Sequence, residues 1–282
     1  MKIGVIGNGF VGKATNILKC NNVELIMYDK NPDICDPIGT TLKDVCKCDI
    51  IFISVPTPMN KDGSCHLGIL ESVVDDLSKI INLDEEFVVV RSTVPPGTSS
   101  RLNCYFMPEF LTEKNFVYDF KHCDNWIFGL KNKQKDELFK NKISELINLS
   151  YYENKIFYNK IHFVLNEEAE MIKMFRNNFL SLKVSFCCEI EEYCKLKSIN
   201  YEKVRELAVL DKRIGESHSK VPGPDGVKGF GGTCFPKDTN SMLSLMEEES
   251  MKSYIIKNMM KRNEEVDRPE QDWKENKGRS VI

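Results

Sequence analysis

The stretch Gly229-Phe230-Gly231-Gly232-Thr233-Cys234-Phe235-Pro236-Lys237-Asp238 holds the residue types best suited to covalent chemistry. Glycines let the backbone approach a ligand closely and take up positive φ. A cysteine follows at once, and Pro236 suits the first position of a helix, where its missing N–H would go unbonded anyway. Cys234 is therefore expected at or just before a helix N-terminus, where the macrodipole favours an anion. Lys237 adds a positive charge within a turn. Such surroundings raise the thiolate fraction, and the thiolate is the nucleophile. The plain alternative is a buried structural cysteine, one of 11 in the chain. The glycines before Cys234 and the Pro-Lys-Asp run after it favour the nucleophile.

A second stretch, Gly7-Asn8-Gly9-Phe10-Val11-Gly12, follows the apolar run Lys2 to Ile6 and precedes a helix-like run to Cys20. Val23 to Tyr28 reads as a second strand and ends in Asp29. Strand, glycine turn, helix and an acid about twenty residues on form the dinucleotide fingerprint. The first two glycines permit the turn and the close approach to a pyrophosphate; the third lets the helix pack on the sheet. Asp29 would accept from both ribose hydroxyls and repel a phosphate there, which selects NAD over NADP. A glycine turn without a ligand is the alternative, and the acid in its expected place counts against it.

The elements that must hold these residues follow from periodicity. Asp49 to Val55, Phe87 to Val90 and Asn103 to Met107 read as three more strands. They end in Pro56-Thr57-Pro58, in Arg91-Ser92-Thr93-Val94-Pro95-Pro96-Gly97, and in Pro108-Glu109-Phe110-Leu111-Thr112-Glu113. A helix is expected near residues 70–81. The alternation predicts an α/β fold, a Rossmann-like doubly wound parallel sheet with helices on both faces. Ligands bind beyond the carboxyl ends of such strands, where Thr57, Thr93, Glu109 and Glu113 fall. Each of the four, taken alone, reads equally well as a turn or cap residue.

Residues 166–197 contain no glycine or proline, and Ile172, Phe175, Phe179, Leu182, Phe186, Ile190 and Tyr193 recur every three or four positions. That is one long amphipathic helix. Its aromatic and methionine residues lie on several faces, which points to cover by a second subunit. Lys173 and Asn177, four apart, share a face; alone they read as two solvated polar residues. A helix from Tyr201 to about Leu210 and two amphipathic segments up to Asp267 complete an all-helical domain. The expected division is 1–160, 161–267, and a charged tail, 268–282, that frays.

Net charge is −3, so nothing suggests attraction to nucleic acid or an acidic membrane. No apolar run approaches the roughly eighteen residues of a membrane span. The N-terminus reads as a strand and not as a signal peptide. The cysteines include no C-x-x-C pair, and Cys46 with Cys48 and Cys187 with Cys188 are too close for a disulfide framework or a standard zinc site. The expected compartment is a reducing cytoplasm, and no metal site is expected.

Seven segments, GNGFVG, SVPTP, STVPPGT, PEFLTE, EMIKMFRNNFLSLKVSF, DKRIG and GFGGTCFPKD, stand in one order from Met1 to about Asn263. In them the chain resembles the nucleotide-sugar 6-dehydrogenases of the UDP-glucose and GDP-mannose dehydrogenase type. The resemblance implies oxidation of the primary alcohol of a nucleotide sugar to a carboxylate with two NAD. It implies that Cys234 traps the intermediate aldehyde as a thiohemiacetal, later a thioester. Lys173, Asn177 and Asp238 resemble the residues that stabilise the oxyanion and manage protons and water. Glu109 resembles the carboxylate of thioester hydrolysis, and Thr93 its helper. Thr57, Glu113 and Lys237 look like cofactor contacts; Phe110, Leu111 and Gly229, Phe230 and Gly231 look like substrate contacts. Arg213 resembles an arginine that reaches across a homodimer. The family normally carries a third domain that binds the nucleotide, and the chain is expected to be a short form without it. Two other readings remain open on the residues: a two-electron hydroxyacid dehydrogenase of the 6-phosphogluconate type, and a non-catalytic NAD-binding or partner-binding remnant. The setting of Cys234 argues against the first. The retained Cys234, Lys173, Asn177, Asp238 and Glu109 argue against the second.

Overall fold

The computed structural model describes the whole chain, Met1–Ile282. In chain order the elements are β1 (Lys2–Ile6), α1 (Phe10–Thr15), β2 (Glu24–Tyr28), α2 (Leu42–Val45), β3 (Ile50–Ile53), α3 (Gly68–Ser78), β4 (Val88–Val90), α4 (Thr98–Arg101) and β5 (Tyr105–Phe106). They continue with α5 (Phe116–Lys121), β6 (Trp126–Leu130), α6 (Asp136–Tyr152), β7 (Ile161–Leu165), α7 (Asn166–Leu196), α8 (Tyr201–Ala208), α9 (Phe235–Glu248) and α10 (Tyr254–Arg262). Two compact units result: Met1–Thr57 with Leu67–Lys173, and Pro58–His66 with Met174–Ile282.

The first unit is built on one seven-stranded sheet of order β2-β1-β3-β4-β5-β6-β7. Side chains alternate along each strand and so divide between two faces. Ile3, Val5, Ile50, Phe52, Val89 and Tyr105 face one core, closed by Ala14 and Leu18, Phe120, and Phe139, Ile143 and Leu146 from α6. Ile6, Ile51, Ile53, Val88, Val90 and Phe106 face the other, closed by Val45 and by Leu70, Val74 and Leu77 of α3. The doubly wound, Rossmann-like sheet expected from the sequence is therefore present. One junction differs from the all-parallel expectation: β5 pairs antiparallel with β6 through Phe106 and Gly129. Residues 107–125, with the short helix α5, return the chain so that β6 runs opposite to β5. The third expected strand also shrinks to Tyr105–Phe106, and β6, α6 and β7 lie in a region the sequence reading left unassigned.

The second unit is helical, with the loop Pro58–His66 folded into it. The expected boundary at residue 160 moves to within α7, because the first turns of that helix pack on the sheet. Ala169 is fully buried among sheet residues, and Asn166 Nδ2 donates to the Cys104 carbonyl at 2.9 Å. The tail is ordered, contrary to the frayed segment that its charge suggested. Arg268 is buried and donates to Asp272 and Asp225, Trp273 is 2% exposed, and Ser280 and Ile282 pair with Met59. Its charges are matched internally, so composition misread as solvation what is local pairing.

Candidate functional site

The glycine turn after β1 has the geometry that its sequence requires. Gly7 adopts φ +95°, and a Cβ there would lie 2.5 Å from the Ser54 carbonyl oxygen. A Cβ on Gly12 would overlap the Gly7 carbonyl, so only glycine lets α1 pack this closely. Gly9, the N-cap of α1, has no heavy atom within 4 Å of its Cβ position. The turn is thus closed on its protein side at Gly7 and Gly12 and open at Gly9, which fits a dinucleotide. Asp29, at the end of β2, accepts from the backbone N–H of Asn8 at 2.8 Å and of Asn31 at 2.9 Å. Each carboxylate oxygen keeps a further lone pair, and the carboxylate is only half buried. Asn8 Nδ2 donates to the Ile34 carbonyl.

Arg91, which the sequence reading did not single out, joins this turn to β4. It is 2% exposed and donates to the Val11 carbonyl and to Thr15 Oγ1, which ties both to the strand end. Burial pulls its guanidinium down to about 10, still charged at neutral pH. Asp29→Ala is expected to weaken NAD binding about tenfold or more and to narrow the preference over NADP, since a charge-assisted acceptor is lost. Titration calorimetry with both dinucleotides measures this. Equal or tighter binding of NADP by the unaltered protein would reject the assignment.

At the other strand ends, Thr57 Oγ1 donates to the Thr93 carbonyl at 2.7 Å, so these two residues meet as one turn-to-turn contact. Glu109 is 5% exposed. Lys173 Nζ donates to Glu109 Oε1 and to the Glu109 carbonyl, both at 2.7 Å, and the Leu111 N–H donates to Oε2 at 2.8 Å. Burial pushes the Glu109 carboxyl up, but Lys173, the Leu111 N–H and Arg91 outweigh it and hold the group below the usual carboxylate range. The Lys173 ammonium also lies 5.8 Å from the Phe110 ring centroid. Glu113 is exposed in the loop between β5 and α5, away from the buried Glu109 pair in character. Glu170, inside a motif yet not singled out by the sequence reading, accepts from the N–H groups of Gly97 (2.6 Å) and Ser99 (2.8 Å) and fixes the Pro-Pro-Gly-Thr turn after Thr93.

In the second unit Cys234 is the N-cap residue of α9, as its sequence setting predicts. Pro236 takes the second helical position and not the first, because the helix begins at Phe235. The sulfur lies 3.8 Å from Thr233 Oγ1, and the Cys234 carbonyl accepts from the Asp238 N–H at 3.0 Å. Asp238 is 1% exposed and is held from two sides. Asn177 Nδ2 donates to Oδ2 and Lys237 Nζ to Oδ1, both at 2.5 Å. Burial alone would lower the Lys237 ammonium; Asp238 and Cys234 beside it raise it above its ordinary value, so it stays charged. Asn177 and Lys173 are buried, and the reading of two solvated residues fails for both. Arg213 is exposed and pairs with Asp211 of its own turn.

The structure thus brings together Asn177, Lys237 and Asp238 next to Cys234 in one unit, and Glu109 with Lys173 and Thr57 with Thr93 in the other. No helix is long and apolar enough to cross a membrane.

Residues 167–265 match the central domain of the UDP-glucose/GDP-mannose dehydrogenase family, and residues 37–147 match its NAD binding domain. The UDP-glucose 6-dehydrogenase of Rickettsia prowazekii is 33% identical over 228 residues, covering 76% of this chain and 49% of that protein. The UDP-glucose 6-dehydrogenase YwqF of Bacillus subtilis is 29% identical, covering 93% and 66%. Among solved structures, a UDP-glucose dehydrogenase from Pyrobaculum islandicum superposes with a TM-score of 0.78 at 25% identity, covering 93% of this chain and 68% of that one. The chain spans about half the length of several curated relatives that it matches. NAD is its cofactor. By these matches the chain belongs to the UDP-glucose/GDP-mannose dehydrogenase family.

Proposed function

We propose that the chain oxidises the C6 primary alcohol of a nucleotide sugar to the carboxylate, with UDP-glucose to UDP-glucuronate as the leading case, through a covalent intermediate on Cys234. The observation that carries the reading is Cys234 at the start of α9, followed within one turn by a buried net of Lys237, Asp238 and Asn177. When bound, NAD supplies the hydride acceptor for each of two successive oxidations. An aldehyde offers no alkoxide from which a second hydride can leave. Addition of the Cys234 thiolate to the aldehyde carbon restores that tetrahedral alkoxide as a thiohemiacetal. Its oxidation leaves a thioester, and water releases the carboxylate and returns the thiol.

Asn177 is the proposed donor to the developing oxyanion, with Lys173 as a second, since neutral amide and ammonium N–H groups both stabilise such charge. Glu109 is proposed for thioester hydrolysis, with Thr93 assisting. Asp238 orients Asn177 and Lys237. Phe110, Leu111 and Gly229 to Gly231 are the proposed sugar contacts; Thr57, Glu113 and Lys237 are proposed on the cofactor side. NADH formation against a panel of UDP- and GDP-sugars tests the reading, with two NADH expected per sugar. One NADH per sugar would favour a hydroxyacid dehydrogenase, and NAD binding without any turnover would favour a non-catalytic remnant.

The proposed assembly is a homodimer. Phe175, Phe179, Phe186 and Tyr193 of α7 are 55–66% exposed, and the Phe175 and Phe179 rings stack at 6.2 Å. An apolar stripe of this kind on one helix is unusual for a surface left in water. Arg213 would then leave Asp211 to reach a second copy. Sedimentation at micromolar concentration should give a dimer; a clean monomer would reject the assembly and this role for Arg213. None of the 11 cysteines is in a disulfide, which suits the reducing cytoplasm proposed for it.

A further inference from the structure

The loop that leads into Cys234 is held by Asn263, a residue outside the seven family segments. Asn263 follows the last turn of α10, is fully buried, and opens a single π-helical turn, Asn263–Asp267. Its side-chain amide grips the Phe230 backbone at both ends. The Phe230 N–H donates to Asn263 Oδ1 at 2.8 Å, and Asn263 Nδ2 donates to the Phe230 carbonyl at 2.9 Å. The fit is close, because a Cβ on Gly229 would overlap Asn263 Oδ1. The next residue but one is covered in the same way: a Cβ on Gly231 would overlap the Arg268 guanidinium. Arg268 is itself fixed by Asp225 at 2.7 Å and by both oxygens of Asp272 at 2.6 and 2.7 Å. The Gly229 N–H donates to Cys188 Sγ at 3.3 Å. Phe230 sits in the small apolar cluster of Met259 and Met260.

π-Helical turns recur at functional sites, where they redirect a side chain that a regular helix would aim elsewhere. Here the redirected side chain reads backbone, not ligand. An amide that satisfies both the N–H and the carbonyl of one buried residue leaves the backbone there a single position. Only Gly231, Gly232 and Thr233 separate Phe230 from Cys234, and the two glycines impose little direction of their own.

We propose that Asn263, with Arg268 as its outer plate, is the positioning residue that sets the Gly229–Gly232 loop and thereby seats Cys234 at the end of α9. The inference rests on Cys234 being the reacting thiol. Alkylation by iodoacetamide, followed cysteine by cysteine by peptide mass spectrometry on the full chain, tests it without turnover. Asn263→Ala is expected to slow alkylation of Cys234 about tenfold at pH 7, since two buried polar groups lose their partner and the loop moves off its single position. Cys104 and Cys194, both buried, should keep their unaltered rates.

A merely structural role predicts the opposite sign: the protein loosens, and all three cysteines react faster together. That result, or an unchanged Cys234, overturns the proposal. Should the alanine variant fail to fold, Asn263→Asp carries the test. It keeps the acceptor for the Phe230 N–H and sets a carboxylate oxygen in place of the donor to the Phe230 carbonyl, and slowing of Cys234 alone is again the expected result. With turnover measurable, Asn263→Ala should lower kcat while the KM for NAD stays unchanged. Slowing confined to Cys234 in a protein that forms no NADH would keep the brace and remove the dehydrogenase reading. Normal two-NADH turnover with unaltered alkylation in the variant would do the reverse.

Discussion

Cys234→Ser is expected to stop net four-electron oxidation while NAD binding stays intact. A serine hydroxyl remains protonated at neutral pH and is a far weaker nucleophile than a thiolate. The loss should be several orders of magnitude in kcat, as for removal of other covalent nucleophiles. An ester formed in place of the thioester hydrolyses slowly, so mass spectrometry of the variant after incubation with sugar nucleotide and NAD should find the adduct on residue 234. In the unaltered chain Cys234 should alkylate faster than the other ten cysteines near pH 7, for two reasons of position. It caps a helix N-terminus, and Lys237 carries its charge one turn on. Cys48, Cys104 and Cys188 are pushed up to about 11, 12 and 11 by burial and should lag far behind. Prior alkylation should abolish turnover. Two NADH per sugar from Cys234→Ser would remove the covalent mechanism.

Much of this site was legible in the sequence because its motifs are short and act locally. A glycine turn between strand and helix, or a cysteine before Phe-Pro-Lys-Asp, needs only nearby residues to take its shape. Cys234 as N-cap and Gly7 at positive φ follow from that. What escaped depends on residues far apart in the chain. Arg91 reaches the glycine helix from 80 positions away, and Asn263 grips Phe230 from 33 positions away. Neither pairing leaves a trace in local spacing. The antiparallel β5–β6 junction was missed for a related reason: strand direction is set by the return path, and a two-residue β5 has too little pattern to read. The tail was misread because charge was counted residue by residue. Arg268 with Asp272 is an i,i+4 pair whose members satisfy each other, and Trp273 supplies the burial.

Lys173→Met is expected to destabilise the sheet-bearing unit by about 3–5 kcal/mol at pH 7, because it leaves Glu109 buried without its main partner. Methionine keeps the length and apolar stem of lysine, so the change isolates the charge. The pH dependence gives the cause away. In the unaltered chain the Glu109 carboxyl is held below its unfolded value of about 4.3. Its contribution is therefore present above that value and is lost as pH falls through the lower, folded one. Without Lys173 the largest remaining influence is burial, which raises the carboxyl, while the Leu111 N–H and Arg91 oppose it only in part. The folded state then binds the proton more readily than the unfolded one, and stability falls as pH rises above the unfolded value.

The deficit of Lys173→Met should accordingly shrink on going from pH 7 to pH 5. Adding Glu109→Gln should recover much of it at pH 7, since the amide can be buried without a counter-charge. Urea unfolding followed by Trp126 fluorescence in a Trp273→Phe background reads the first unit alone, as these are the two tryptophans of the chain and each lies in a different unit. A deficit that is the same at both pH values, or a double variant no more stable than Lys173→Met, would show that Lys173 acts through packing and not through its charge on Glu109.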